Sequence, residues 1–268
     1  MAQKKSDTLR EEIRIVLIGK SGSGKSRTGN FILGLKGSDP DCFKFNAGGD
    51  SVTQECQLKT AYRYGLKLDV VDTPGLLDTK RNNVDVQKEI KNCFLKTSPG
   101  IHAILLCVSM ERFTEESIDM LNHFIGFFGQ DLYEYVVVVF THYDEWKECQ
   151  IDNNEVPDSK CYTKTLEKNL QEFLDNCSRR YCFFDNNLDL SDDSQVIYLL
   201  RIIESNINRN KGKCFTNAMF NKVEQCLQKM GNQYSREELK QNKKLTGSVL
   251  SSLGEILNFP SKGYTVWC

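Results

Sequence analysis

The chain has 268 residues, with Lys+Arg 35 against Asp+Glu 36, a formal net charge of -1, and 40% hydrophobic and 26% charged residues. At roughly 100 to 200 residues per domain, this composition and length predict one large folded domain with an appendage, or two small ones. The near-neutral balance lacks the basic field that drives non-specific nucleic-acid binding, so no nucleic-acid partner is expected.

Apolar runs of strand length recur in chain order at residues 13–18, 66–71, 103–108, 135–140 and 181–184. Helical spacing separates them. Ile118, Leu121, Phe124, Ile125 and Phe128 follow a Thr114 cap with Glu115 and Glu116 behind it, and Leu166, Leu170, Phe173, Leu174 and Cys177 form a second stripe. Strands alternating with helices predict a mostly parallel sheet covered by helices on both faces, because parallel neighbours need crossover connections. Residues 54–64 alternate more loosely before Gly65 and predict an antiparallel hairpin partner for the strand at 66–71.

After about residue 210 only helical spacing remains, through Phe215, Met219, Val223, Leu227, Met230, Leu239, Val249, Leu250, Leu253 and Ile256. Ser235 and Glu238 predict a capping box for the last helix, with Gly247 interrupting it. Residues 201–268 hold 11 Lys and Arg against 5 Asp and Glu, whereas the first 200 residues hold 24 against 31. The tail is read either as an amphipathic buttress or as a docking arm with peripheral membrane contact.

No apolar run approaches the ~20 residues of a membrane-spanning helix, and the run at 13–18 is too short for a signal-peptide core. Ala2 stands where N-myristoylation requires glycine, and Cys268 is last where prenylation requires the fourth position from the end. The chain carries 11 Cys and no C-x-x-C pair, which predicts free thiols in a reducing, cytosolic compartment. Cys107, inside AILLCVS, reads as a small core residue. His102, His123 and His142 have no partner at metal-ligand spacing and read as structural, with His142 revisited below.

The chemistry sits at strand ends. Gly19, Lys20, Ser21, Gly22, Ser23, Gly24, Lys25 and Ser26 fit G-x-x-x-x-G-K-[ST] between a strand and a helix, followed by Arg27. Backbone N–H groups of such a loop and the helix N-terminus form an anion cradle; Lys25 reaches the β- and γ-phosphates, and Ser26 ligates Mg²⁺. Asp72-Thr73-Pro74-Gly75 puts a carboxylate at the end of the 66–71 strand, where it holds Mg²⁺ through water, with Gly75 offering an N–H to the γ-phosphate. Thr141-His142-Tyr143-Asp144 closes the strand at 135–140; Asp144 accepts from guanine N1–H and the exocyclic amine, which adenine cannot match, and His142 stacks on the base. Phe184-Asp185-Asn186-Asn187 lines the other side of the base with Asp185 and Asn186, though Asn-rich strand ends are commonly plain turns.

These motifs, with Thr53 in SVTQEC as a further Mg²⁺ ligand and ERFTEES between the third and fourth motifs, resemble the GTPases of the immunity-associated protein family, relatives of the septins, from about Ile13 to Glu224. The resemblance implies a three-layer P-loop NTPase fold, a GTP-binding domain over residues 11–212 and a helical extension over 213–268. It also implies GTP, GDP and Mg²⁺ as ligands, and a homodimer or oligomer formed through the GTP-bound domain, often at membranes. The chain departs from the common F-N-N at Asp185 and from the common N-K-x-D at Thr141 and His142.

Leu76 occupies the position of the water-orienting Gln of Ras-like enzymes, so slow hydrolysis is expected, accelerated by an Arg supplied across a dimer, with Arg112 as the catalytic candidate. A surface ion pair is the competing role for Arg112. Three functions follow: a GTP-controlled assembly switch, a nucleotide-locked scaffold that never cycles, and an ATP-dependent P-loop kinase. The insertions at 37–50 and 149–160 carry no Arg for a kinase lid. Asp144 favours guanine.

Overall fold

The structure is a computed structural model and describes residues 11–45, 55–75, 83–110, 113–231 and 233–254. Thr53, Leu76 and Arg112 lie outside the described residues. Six strands form one sheet: β1 (Glu12–Ile18), β2 (Gln57–Arg63), β3 (Leu66–Asp72), β4 (Ala103–Ser109), β5 (Val136–Thr141) and β6 (Tyr181–Phe183), in the spatial order β2-β3-β1-β4-β5-β6. All neighbours are parallel except β2, which pairs antiparallel with β3 from Gln57↔Asp72 to Arg63↔Leu66. Tyr64, at φ 55, and Gly65, at φ 73, make the tight turn between them.

The central strand β1 shows why both faces are covered. Ile13, Ile15 and Leu17 enter one apolar cluster and Val16 and Ile18 the other, following the period of two along a strand. The first cluster is closed by α1 (Lys25–Leu33) and α7 (Ser194–Arg209), through Phe31, Ile32, Leu199 and Ile203. The second is closed by α2 (Asn83–Thr97), α3 (Glu115–Phe128) and α6 (Lys168–Asn176), through Ile90, Phe94, Leu121, Phe124 and Phe173. The result is three layers. Arg14 is the buried polar exception on β1: its Nε donates to Gly100 O at 2.6 Å, and its backbone N–H donates to His102 Nδ1 at 2.9 Å. His102 is thereby structural, as its isolation in the sequence predicts.

Several local expectations are corrected. Thr114 stands at the N-cap of α3 in extended conformation, but its side chain makes no capping hydrogen bond; its carbonyl accepts from Ser117 N–H at 2.9 Å. The strand expected at 135–140 begins at Val136, because Tyr135 ends a 3-10 turn, Gln130–Tyr135. The second helical stripe begins at Lys168, leaving Leu166 in the approach, and α4 (Tyr143–Asp152) and α5 (Ser159–Thr165) precede it.

The tail forms α8 (Ala218–Met230), α9 (Arg236–Gln241) and α10 (Lys243–Gly254). The capping box of Ser235 and Glu238 is present, but it caps the short α9 rather than the last helix. The break falls at Asn242 and not at Gly247: extended at ψ 115, Asn242 accepts with its side chain from Lys244 N–H at 3.0 Å and Leu245 N–H at 3.3 Å, so it starts α10. Gly247 lies inside α10.

Phe215 exchanges backbone hydrogen bonds with Ile101, and Phe220, fully buried, meets the Phe94 ring at 4.7 Å between centroids. The tail therefore shares the core of the sheet. Phe220→Ala is expected to cost about 3–5 kcal/mol in chemical denaturation, and the loss should appear in the single transition of the whole chain. A separate early transition with an unmoved main one would show a tail that only rests on the domain.

Candidate functional site

Ligands of open α/β sheets bind outside the carboxyl ends of the strands. Here four loops meet at that end: 19–24 after β1, 73–75 after β3, 141–142 after β5 and 184–187 after β6. The first lies flat on β4, since a Cβ on Gly19 would come within 2.4 Å of Cys107 O. Gly24, at φ 78, is the N-cap of α1, and a Cβ there would meet Asn186 Nδ2 at 3.0 Å and Thr141 Cβ at 3.2 Å. A side chain at either glycine would push the phosphate loop off its neighbours.

Lys25 is buried, and its ammonium curls back to donate to Lys20 O at 2.6 Å, holding the loop closed around itself. Ser26 Oγ donates to Asp72 Oδ2 at 2.7 Å. A hydroxyl and a carboxylate from two elements thus meet at one point, as a hard divalent cation needs. Thr73 fixes that end of β3 to β1 by donating from its hydroxyl to Leu17 O at 2.7 Å, and Gly75 is buried just beyond. Cys107 sits under the loop, where burial first, and the Asp72 charge next, hold its thiol up to about 12; it is a neutral packing group.

Thr141 is fully buried, with Oγ1 at 3.0 Å from Ser23 O and 3.1 Å from Val108 O. Its hydroxyl therefore stitches β5 to the phosphate loop. His142 takes the left-handed conformation, φ 57 and ψ 35, and its Nδ1 lies 3.0 Å from Glu145 Oε1. That bend starts α4 and puts Asp144 in its first turn. Asp144 Oδ2 accepts from Asn187 Nδ2, and Oδ1 is buried with no hydrogen-bond partner among the described residues.

The loop after β6 separates the two side chains assigned to it. Asp185 Oδ1 accepts from Asn187 N–H at 2.9 Å and Oδ2 lies 3.5 Å from Lys147 Nζ, while its backbone is clasped by Gln195 at 2.9 and 2.8 Å. Asp185 shapes the loop. Asn186 faces the cradle: Oδ1 accepts from Thr28 Oγ1 at 3.3 Å, and Nδ2 is buried without a partner among the described residues. Arg27 Nη2 donates to Asn186 O at 2.9 Å and to Asn187 Oδ1 at 2.5 Å, so it braces this loop against α1.

Asn187, which no motif singles out as a ligand, holds Asp144 in place. Its signal in the sequence is only the doubled Asn of F-D-N-N. Beside these groups a cavity of about 400 Å³ opens, lined by Lys20, Ser21, Gly22, Ser109, Thr114 and His142 among others.

The fit to a guanine nucleotide rests on buried groups that lack partners. A carboxylate oxygen on Asp144 suits an N–H donor and an amide on Asn186 suits a carbonyl; guanine offers both, whereas adenine has no carbonyl and its N1 is an acceptor. Ser23 Oγ, also buried without a partner among the described residues, adds a hydroxyl under the phosphate loop.

Solved structures with this fold include Toc33 from Arabidopsis thaliana in complex with GDP and Mg²⁺, at TM-score 0.53 and 17% identity over 77% of this chain and 88% of that one. A dimerization-deficient arginine-to-alanine mutant of Toc33 aligns at TM-score 0.52 and 16% identity, again over 77% and 88%. A further structure, of chloroplast translocon components for which dimerization is important for GTPase activity, aligns at 0.51 and 15% identity over 74% and 83%. In sequence, the chain is 34% identical to immune-associated nucleotide-binding protein 9 of Arabidopsis thaliana over 230 residues, 85% of this chain and 64% of that protein. It is 31% identical to GTPase IMAP family member 8 of Homo sapiens over 77% of this chain, and spans only 29% of that protein. Residues 13–234 match the AIG1 family, and with the phosphate loop, Asp72 and Asp144 assembled as described, the chain belongs to that family.

Proposed function

We propose that this chain is a guanine-nucleotide switch: it binds GTP and GDP with Mg²⁺, assembles through its GTP-bound domain, and hydrolyses GTP slowly until a second subunit completes the site. The observation that carries the reading is the buried, unpartnered Asp144 Oδ1 held by Asn187 beside the amide of Asn186. Lys25 and the backbone of 19–24 bind the phosphates, Ser26 and Asp72 hold the cation, and Asn186 and Asp144 select the base. Mg²⁺, when bound, screens the phosphate charge.

Self-association is supported by the likeness to Toc33, whose solved structures include a dimerization-deficient mutant. Ser109 and Thr114 line the same cavity as Lys20, Ser21 and Gly22. A cytosolic placement with peripheral membrane contact belongs to the same proposal, supported by the buried free thiols and the surplus of basic residues in the tail. No helix among the described residues is long and apolar enough to cross a membrane.

The test is displacement of fluorescent GDP by GTP, GDP, ATP and ADP. GTP should displace it and ATP should fail even in roughly 100-fold excess, because an adenine leaves Asp144 unpaired in a buried site. Equal displacement by ATP would end the guanine reading. Lys25→Ala is expected to weaken GDP binding by about 10- to 100-fold, the worth of a charge-assisted contact to phosphate, with an unchanged circular dichroism spectrum.

A further inference from the structure

At the opposite end of the sheet from the nucleotide loops, the start of β6 and one side of α7 border an open cavity of about 470 Å³. Four arginines line it, Arg179, Arg180, Arg201 and Arg209, with Tyr181 and Tyr198, and none of its described lining residues is acidic. A net charge of -1 over the chain makes this concentration of guanidinium a local feature rather than a share of a general basic surface.

Arg180 forms the floor. It is 8% exposed, its Nε donates to Val136 O at 2.9 Å and its Nη2 to Tyr133 O at 2.8 Å. Those two carbonyls fix the plane of the guanidinium. Nη1 is buried with no hydrogen-bond partner among the described residues. Burial, and then the charge of Arg209, lower the Arg180 pKa to about 10, so it stays cationic at neutral pH at a cost that an anion would offset.

The other three arginines are exposed and stand around it. Ser178 and Arg179, at φ 51 and 48, make a left-handed turn that brings Arg179 next to Arg180, and Arg179 Nε pairs with Asp175 Oδ1 at 2.5 Å. Arg209 Nη2 contacts Asn206 Oδ1 at 3.0 Å and Ser178 Oγ at 3.5 Å, and the side chain lines the cavity. Guanidinium forks match phosphate oxygens in geometry, and the volume lies within the range of small-molecule sites.

We propose that this cavity binds a ligand carrying two or more phosphate monoesters, as in a polyphosphorylated inositol, either free or as a lipid headgroup. A compact cluster of arginines around one buried guanidinium fits a compact polyanion better than an extended one, whose capture relies on a long basic track. With the cavity at the end of the sheet opposite to the phosphate loop, such a ligand and a nucleotide can be held at once.

The experiment uses the full chain with saturating GDP and Mg²⁺, so that the phosphate loop does not take the probe. Inositol trisphosphate is titrated by calorimetry, and sedimentation is measured with phosphatidylcholine vesicles containing phosphatidylinositol bisphosphate or, at matched charge, phosphatidylserine. Saturable one-to-one binding of the trisphosphate is expected, with bisphosphate vesicles preferred over phosphatidylserine if the source is a lipid, and with no sedimentation if it is a soluble molecule. Arg201→Glu combined with Arg209→Glu, two exposed positions outside the nucleotide site, should weaken binding by about tenfold or more while GDP affinity and circular dichroism stay unchanged. Absence of saturable binding, equal sedimentation with phosphatidylserine, or a double variant that binds like the wild type would each overturn the site.

Discussion

In dilute protein, GTP turnover per molecule is expected to be slow, and to rise with concentration by a factor approaching ~10³ once subunits pair, since an arginine given in trans is worth about 10³ to 10⁵ in other GTPases. The sequence has Leu76 where Ras-like enzymes place the residue that orients the attacking water, and leucine has no polar atom to do so. On the proposed reading Lys25 and Ser26 serve the phosphates and the cation, so acceleration is expected from a second subunit. Face-to-face pairing over the nucleotides is a closed two-fold contact, in which each copy presents the same surface and each site receives the same group. Turnover measured over a wide concentration range checks this, with Arg112→Ala alongside. A flat specific activity rules out the paired mechanism. A rising activity that Arg112→Ala leaves intact keeps the pairing and excludes only this arginine, which would then hold the surface ion-pair role.

Asp144→Asn is expected to lower GDP affinity by roughly 100-fold or more and to favour xanthosine diphosphate over GDP, because the amide presents a donor where the carboxylate accepts. The structure sharpens this expectation. Asn187 Nδ2 donates to Asp144 Oδ2, so an Asn at 144 can keep its oxygen toward Asn187 and turn its amide nitrogen to the buried position that Oδ1 now occupies. The inversion should therefore appear without loss of the fold. Competition of GDP and xanthosine diphosphate for the variant is the measurement, and a retained preference for guanine would transfer base selection to Asn186. Asp185→Ala makes the contrast: it removes the turn that presents Asn186, so it should weaken GDP and xanthosine diphosphate alike.

The sequence by itself determined the alternation of strands and helices and the place of each motif along it. These rest on local physics: the apolar run of β1, the G-x-x-x-x-G-K-S spacing, and the position of Asp72 and Asp144 at the ends of buried strands. The parallel sheet with one antiparallel edge followed from the same pattern, because only the segment before Gly65 is close enough to turn back on its neighbour. In the tail the capping box of Ser235 and Glu238 was legible, but the break was not: the sequence points to Gly247, and the structure puts it at Asn242, whose side chain accepts from Lys244 and Leu245 N–H.

What the tertiary structure decided is how the polar residues at the strand ends divide their tasks. Thr141 and Asp185 look like ligands in the sequence, but their hydrogen bonds go to the phosphate loop and to a turn, while Asn187, which the sequence does not single out, holds Asp144. Asn186 and Asp144 are distinguished from them by buried atoms without partners, a property that exists only once β1, β5 and β6 lie side by side. The arginine cavity has the same origin: Arg179 and Arg180 lie more than a helical turn from Arg201 and Arg209 in sequence, and α7 running back along β6 is what brings their charges to one place.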